Sequence, residues 1–140
     1  MSDDPGAVQT VGLFAGQHVL AELEGVDAAL LDDEPFLRRT LVEVLDRADA
    51  TVCDVISKKF EPQGVTVLAL LSESHASIHT YPERGSLFLD VFTCGHRAKP
   101  EYAVELLTEI LRPTSAHVQT ISRGTDHPVA AATAGTPVAS

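Results

Sequence analysis

Between Thr51 and Thr93 the chain reads as four extended runs with very little sequence between them. Thr51–Lys59, Val65–Leu71, Ser77–Thr80 and Ser86–Thr93 are the runs, and the turn signals Glu61-Pro62-Gln63-Gly64 and Pro82-Glu83-Arg84-Gly85 punctuate them. Connections this short favour antiparallel pairing in sequence order, because a parallel pair needs a long crossover. Leu87-Phe88-Leu89-Asp90-Val91-Phe92 is apolar on both parities, the pattern of a central strand covered on both sides. Gln17–Glu24 and His117–Ser122 read as two further strands.

Two segments carry helical periodicity. The first opens near Asp32 and Asp33, has Pro35 in its first turn, and repeats apolar residues at Phe36, Leu37, Leu41, Val44, Leu45 and Ala48. The second opens at Pro100, carries Ala103, Leu106, Leu107, Ile110 and Leu111, and stops before Pro113. Each lays one apolar stripe against a sheet. The order strand, helix, four strands, helix, strand predicts an α+β fold: a two-layer α/β sandwich, with a largely antiparallel sheet and two helices on one face. The 140 residues form a single domain, ordered from about residue 11 to 122. Residues 1–10 and 123–140 lack an apolar pattern and are expected to be loose.

Charge narrows the function. The net charge of −10 opposes binding to nucleic acid or to an anionic membrane surface and favours a cationic small molecule. The longest apolar run, Val65–Leu71, is far too short to span a bilayer, and the acidic start lacks the pattern of a secretion signal. Two cysteines, Cys53 and Cys94, cannot build a disulfide framework, so a cytoplasmic protein with reduced thiols is the expectation.

Reactive side chains crowd into Glu73-Ser74-His75-Ala76-Ser77-Ile78-His79-Thr80-Tyr81-Pro82-Glu83 and Asp90-Val91-Phe92-Thr93-Cys94-Gly95. Metal binding by His75 and His79 fits poorly, since four positions along a strand separate them by about 13 Å; no metal is expected. Ser74 lacks the glycine-flanked elbow of a serine hydrolase, and Cys94 has no helix start beside it to acidify a thiol.

The segment Ser72–Glu83 together with Asp90–Gly95 resembles the bacterial S-adenosylmethionine decarboxylase proenzymes, a self-processing, pyruvoyl-dependent family. Gly16–Leu23 resembles that family's first strand, and Lys59-Phe60-Glu61-Pro62-Gln63-Gly64-Val65 resembles its turn, so the likeness covers roughly residues 11–124. The resemblance implies a cut between Glu73 and Ser74 that yields chains of residues 1–73 and 74–140. The Ser74 hydroxyl attacks the preceding carbonyl to give an ester; loss of the Ser74 α-proton and β-elimination leave a dehydroalanine, which water hydrolyses to ammonia and a pyruvoyl group, the covalent cofactor. His79 matches the processing base and Thr66 a hydroxyl used in processing. The pyruvoyl carbonyl binds the substrate amine as a Schiff base, and Cys94 matches the donor that reprotonates the product. Phe60 and Tyr81 match rings beside the adenine, and Glu83 the carboxylate that accepts from the ribose hydroxyls. The activity implied is removal of carbon dioxide from S-adenosylmethionine, giving the aminopropyl donor for spermidine biosynthesis, by a homodimer with sites near the subunit interface.

Tyr81 stands where tryptophan is common in that family, and Ser57-Lys58 where Phe-His is common. Two other readings stay open: a pyruvoyl-dependent ornithine or arginine decarboxylase on the same scaffold, and a non-processing regulatory paralogue. Ser74 and His79 have opposite parity on a regular strand. Chemistry between them therefore predicts that Ser74 lies in a turn or kink ahead of the strand, outside its ladder.

Overall fold

The computed structural model describes residues 14–124. Within them the elements run β1 (Ala15–Glu24), α1 (Ala28–Leu31), α2 (Glu34–Arg47), β2 (Val52–Lys59), β3 (Val65–Leu71), β4 (Ser74–Tyr81), a 3₁₀ turn (Pro82–Arg84), β5 (Ser86–Cys94), α3 (Pro100–Leu111) and β6 (Ser115–Gly124). The strands form one antiparallel sheet in the order β2-β3-β4-β5-β1-β6. The meander expected from the short turns supplies its first four strands. β1 then adds beside β5, with Val19 opposite Val91, and β6 closes the far edge against β1.

Helix starts follow local chemistry. Asp33 caps α2 by accepting a hydrogen bond from the Phe36 N–H at 3.1 Å, and Pro35 fills a first-turn position that needs no donor. α3 begins at Pro100 and ends at Leu111, and the left-handed conformation of Arg112, its C-cap, turns the chain before Pro113. α2 lies over β2 and β3, α3 over β1 and β5, and the two helices pack against each other. Their stripes close on Val19, Ala21, Leu23, Val67, Ile78, Leu87, Leu89 and Val91, all buried. Among the described residues every buried side-chain nitrogen and oxygen has a hydrogen-bond partner. One such group, Thr80 Oγ1, accepts from the Val65 N–H and donates to the Leu31 carbonyl, tying β4 to β3 and α1.

Among the described residues no helix covers the opposite face of the sheet. Leu20, Ile56, Leu68, Leu70, Phe88 and Ile121 are each at least 38% exposed there. β5 is central, as its composition predicts, but the expected cover on both sides comes on one side only within this chain: Leu87, Leu89 and Val91 are buried while Phe88 is 41% exposed. Two apolar stripes can coat only one side of a six-stranded sheet.

The strands are longer than their apolar patterns. β4 starts at Ser74 rather than Ser77, because the longer β5 offers a ladder partner as far as Thr93. β6 reaches Gly124, two residues beyond the expected ordered boundary; the expectations for residues 1–10 and 125–140 lie outside the described residues. The single turn α1 has too few residues to show a period. The substituted Ser57 has a structural partner set. It accepts from Arg38 Nη1 at 3.0 Å and donates to Glu34 at 2.6 Å, pinning the edge strand to α2.

Leu107 is fully buried where α3 meets the sheet. Replacing it with alanine should cost about 2–5 kcal/mol of stability, read as a lower urea midpoint with an unchanged slope.

Candidate active site

The Glu73–Ser74 bond is held from both sides. The chain bends at Ser72 and Glu73 between β3 and β4. The Ser72 N–H donates to the Thr51 carbonyl at 2.9 Å. The Glu73 carboxylate accepts from the Thr51 N–H at 3.0 Å and from its hydroxyl at 3.1 Å. The carbonyl of Glu73, which belongs to the bond in question, accepts from the Cys94 N–H at 3.1 Å. That donor sits where negative charge would develop if the carbonyl were attacked. Cys94 itself is half-buried at the end of β5. Gly16 lies opposite it; a Cβ there would come within 2.6 Å of the Thr93 carbonyl, so only glycine lets β1 approach this close.

Ser74 is the first residue of the β4 ladder, paired with Thr93, and does not precede it. The expected kink falls at the two residues before. Ser74 shares parity with Ala76, Ile78 and Thr80, whereas His79 lies on the open face with His75, Ser77 and Tyr81. Five residues of strand at about 3.3 Å each place Ser74 and His79 roughly 16 Å apart. The two side chains do not meet within one chain. His79 Nδ1 instead faces Thr66 Oγ1 at 3.1 Å across the β3–β4 ladder.

The opposite end of β4 gathers the remaining candidates. Phe60, Thr66, His79, Tyr81 and Glu83 line one cavity of about 320 Å³, together with the Gln63-Gly64 turn. A neighbouring cleft of about 520 Å³ is bounded by Tyr81, Glu83, Glu24, Ser86 and Phe88. The Tyr81 and Phe88 rings stand 5.4 Å apart, and Phe60 and Tyr81 are 45% and 41% exposed, so flat apolar surface remains available. Glu24 adds a second carboxylate to Glu83 in that cleft; its alternation along β1 is the only sequence signal that could have pointed to it. Asp32 anchors the cavity wall. It accepts from the Gly64 N–H at 2.8 Å and pairs with Lys59 at 3.3 Å.

Between the two ends stands a cluster that sequence reading left unassigned. Asp90 accepts from His18 Nε2 at 2.8 Å and from the Ser77 hydroxyl, and lies 3.6 Å from His75 Nε2. His18, His75 and Asp90 bring three potential metal-ligating atoms within 4.8 Å of one another. Arg123 approaches His18 Nδ1 at 3.1 Å, and a guanidinium can only donate. The His18 hydrogen therefore sits on Nε2, aimed at Asp90, and that nitrogen has no lone pair for an ion. Three different strands supply these residues, so no local motif could display them.

Residues 17–124 match the sequence profile of the S-adenosylmethionine decarboxylase family. The chain belongs to that family. It is 47% identical over 109 residues to S-adenosylmethionine decarboxylase proenzyme 2 of Bacillus cereus, covering 78% of this chain and 89% of that protein. It is 50% identical over 121 residues to the S-adenosylmethionine decarboxylase proenzyme of Prochlorococcus marinus (strain MIT 9313), covering 86% and 95%. The crystal structure of the adenosylmethionine decarboxylase from Aquifex aeolicus superposes with a TM-score of 0.76 at 35% identity, over 84% of this chain and 97% of that one. The α+β sandwich is thus the fold of this decarboxylase family. Among the described residues no helix is long and apolar enough to cross a membrane.

The Gly64 N–H holds the Asp32 carboxyl below its ordinary value, helped by the Lys59 ammonium and opposed by desolvation. A lowered carboxyl stabilises the folded chain above its unfolded pKa, and that contribution is lost as pH falls through the folded value. Asp32→Ala should lower the urea midpoint at pH 7, and the gap to the natural chain should close as pH drops below about 4.

Proposed function

We propose that this chain is a self-processing, pyruvoyl-dependent S-adenosylmethionine decarboxylase that supplies an aminopropyl donor for spermidine biosynthesis. The observation that carries the reading is the Glu73–Ser74 junction, where a hydroxyl follows a clamped carbonyl already facing the Cys94 N–H. Attack by the hydroxyl on that carbonyl converts the amide to an ester, and the N–H stabilises the oxyanion. Elimination of the ester then frees residues 1–73 and leaves a dehydroalanine at the start of 74–140, which water hydrolyses to a pyruvoyl group and ammonia. That group supplies an electron-withdrawing carbonyl able to take up the electron pair released with carbon dioxide.

The chain's own residues do the rest. Phe60 and Tyr81 flank the adenine, and Glu83 accepts from the ribose hydroxyls, with Glu24 across the cleft. A chain of net charge −10 draws in a sulfonium cation. The Cys94 thiol hands a proton to the substrate α-carbon. Two half-exposed rings beside the cavity favour a nucleoside over ornithine or arginine.

Two copies are needed for one site. Ser74 and Cys94 lie at one end of β4 and β5; His79, Thr66, Phe60, Tyr81 and Glu83 lie at the other. Stacking the open faces of two chains about a two-fold axis sets each half against the missing half of the other. It also covers Leu20, Leu68, Leu70 and Phe88, an apolar surface unusual for a monomer. Thr66 then orients the His79 ring toward the partner's Ser74, where His79 removes the α-proton.

Ser74→Ala should remain a folded, uncut chain on a denaturing gel, while the natural chain yields two fragments, one with an N-terminal pyruvoyl by mass spectrometry. Each of Ser74→Ala and His79→Ala alone should stay uncut, but co-expression should cut the His79→Ala chain, because a mixed dimer holds one complete site. A mixture in which neither chain is cut refutes the shared site. Labelled carbon dioxide should be released from S-adenosylmethionine and not from ornithine or arginine.

A further inference from the structure

The hydroxyl that starts self-cleavage has a partner of its own. Ser74 Oγ lies 3.0 Å from His75 Nδ1. Neighbouring side chains on a regular strand point to opposite faces, so such a contact needs the strand's irregular beginning. Ser74 is held by β5 alone: on the β3 side pairing begins one residue later, with Leu70 opposite His75. Beyond His75 the network continues into Asp90, whose Oδ2 stands 3.6 Å from His75 Nε2. Asp90 is fixed by the Ser77 hydroxyl and by His18, and His18 is fixed by Arg123, whose guanidinium also covers the Phe92 ring at 4.3 Å. Hydroxyl, imidazole and carboxylate thus stand in the order that makes a hydroxyl a nucleophile elsewhere: a base against the hydroxyl, and a carboxylate behind the base to stabilise its charged form.

We infer that His75 is the base of the acyl shift, with Asp90 as its positioning residue. This rests on the self-processing reading above and adds the step before the one given to His79. Ser74 Oγ bonds to the Glu73 carbonyl carbon as its proton passes to His75 Nδ1. The carbon–nitrogen bond then breaks, and the imidazolium returns that proton to the departing nitrogen of Ser74. One ester and one amine replace one amide and one alcohol, with no proton gained or lost. The transient negative charge on the Glu73 oxygen faces the Cys94 N–H. Within a chain His79 stands roughly 16 Å from Ser74, on the far end of the strand. The two imidazoles take consecutive steps: His75 of the same chain makes the ester, and the partner's His79 eliminates it.

The test follows freshly translated full-length chain on denaturing gels, with and without hydroxylamine, which cuts esters and spares amides. The natural chain matures into two fragments. His79→Ala accumulates the ester and is cut by hydroxylamine. His75→Ala and His75→Asn should lengthen the cleavage half-time about a hundredfold or more and show no hydroxylamine-sensitive ester. Because His75 is exposed, added imidazole should restore cutting in His75→Ala, an outcome possible only in a folded chain. Asp90→Glu, which keeps the charge, should cut faster than Asp90→Asn. A His75 variant with the natural circular dichroism that cuts at the natural rate, or that accumulates ester, overturns the assignment. A natural chain that never cuts instead removes the self-processing reading beneath it.

Discussion

A β-strand cannot bring its own two ends together. Hydrogen bonds to neighbours on both sides hold β4 extended, so Ser74 and His79 stay about 16 Å apart whatever their side chains do. That spacing divides the candidate residues into two sets, the Glu73–Ser74 junction with Cys94 at one end and the cavity lined by Phe60, Tyr81 and Glu83 at the other. One chain therefore holds its candidate residues in two groups that cannot meet along β4. An apolar face bare of helices among the described residues lies between them.

The two sides of the sheet have different tasks. The helix side is nearly pure hydrocarbon, with its few polar groups paired, and it sets stability. The open side carries a polar strip across a mostly apolar surface, centred on Asp90. A carboxylate in such a setting needs donors, and it finds them on neighbouring strands: Ser77 of β4 and His18 of β1, with Arg123 of β6 behind His18 and His75 Nε2 3.6 Å away. The strip reaches the Glu73–Ser74 junction through the contact between Ser74 and His75. The junction itself is rigid for a loop: the Thr51 clamp on Glu73 and the Cys94 N–H on its carbonyl restrict the peptide plane before any chemistry begins.

Much of this was legible from the residues. Alternation, turn signals and helix caps placed all six strands and both long helices, because those signals are local and the packing agrees with them. The family motif singled out Ser74, His79, Cys94, Thr66, Phe60, Tyr81 and Glu83, and the structure sorts them into their two groups. Three things were not legible. The start of β4 depends on how far β5 extends. The Asp90 network depends on strand register. The bare side of β5 depends on two long helices, among the described residues, having a wide sheet to cover.

The sequence alone determined the layer architecture, the turn positions and the identity of the reactive side chains, since each is written in residue type and spacing. Tertiary structure decided which of those side chains can touch. Register between distant strands puts His18 on Asp90 and the Cys94 N–H on the Glu73 carbonyl. The stiffness of the ladder keeps Ser74 from His79, and contacts of this kind, or their prevention, arise only when strands far apart in the chain are locked side by side.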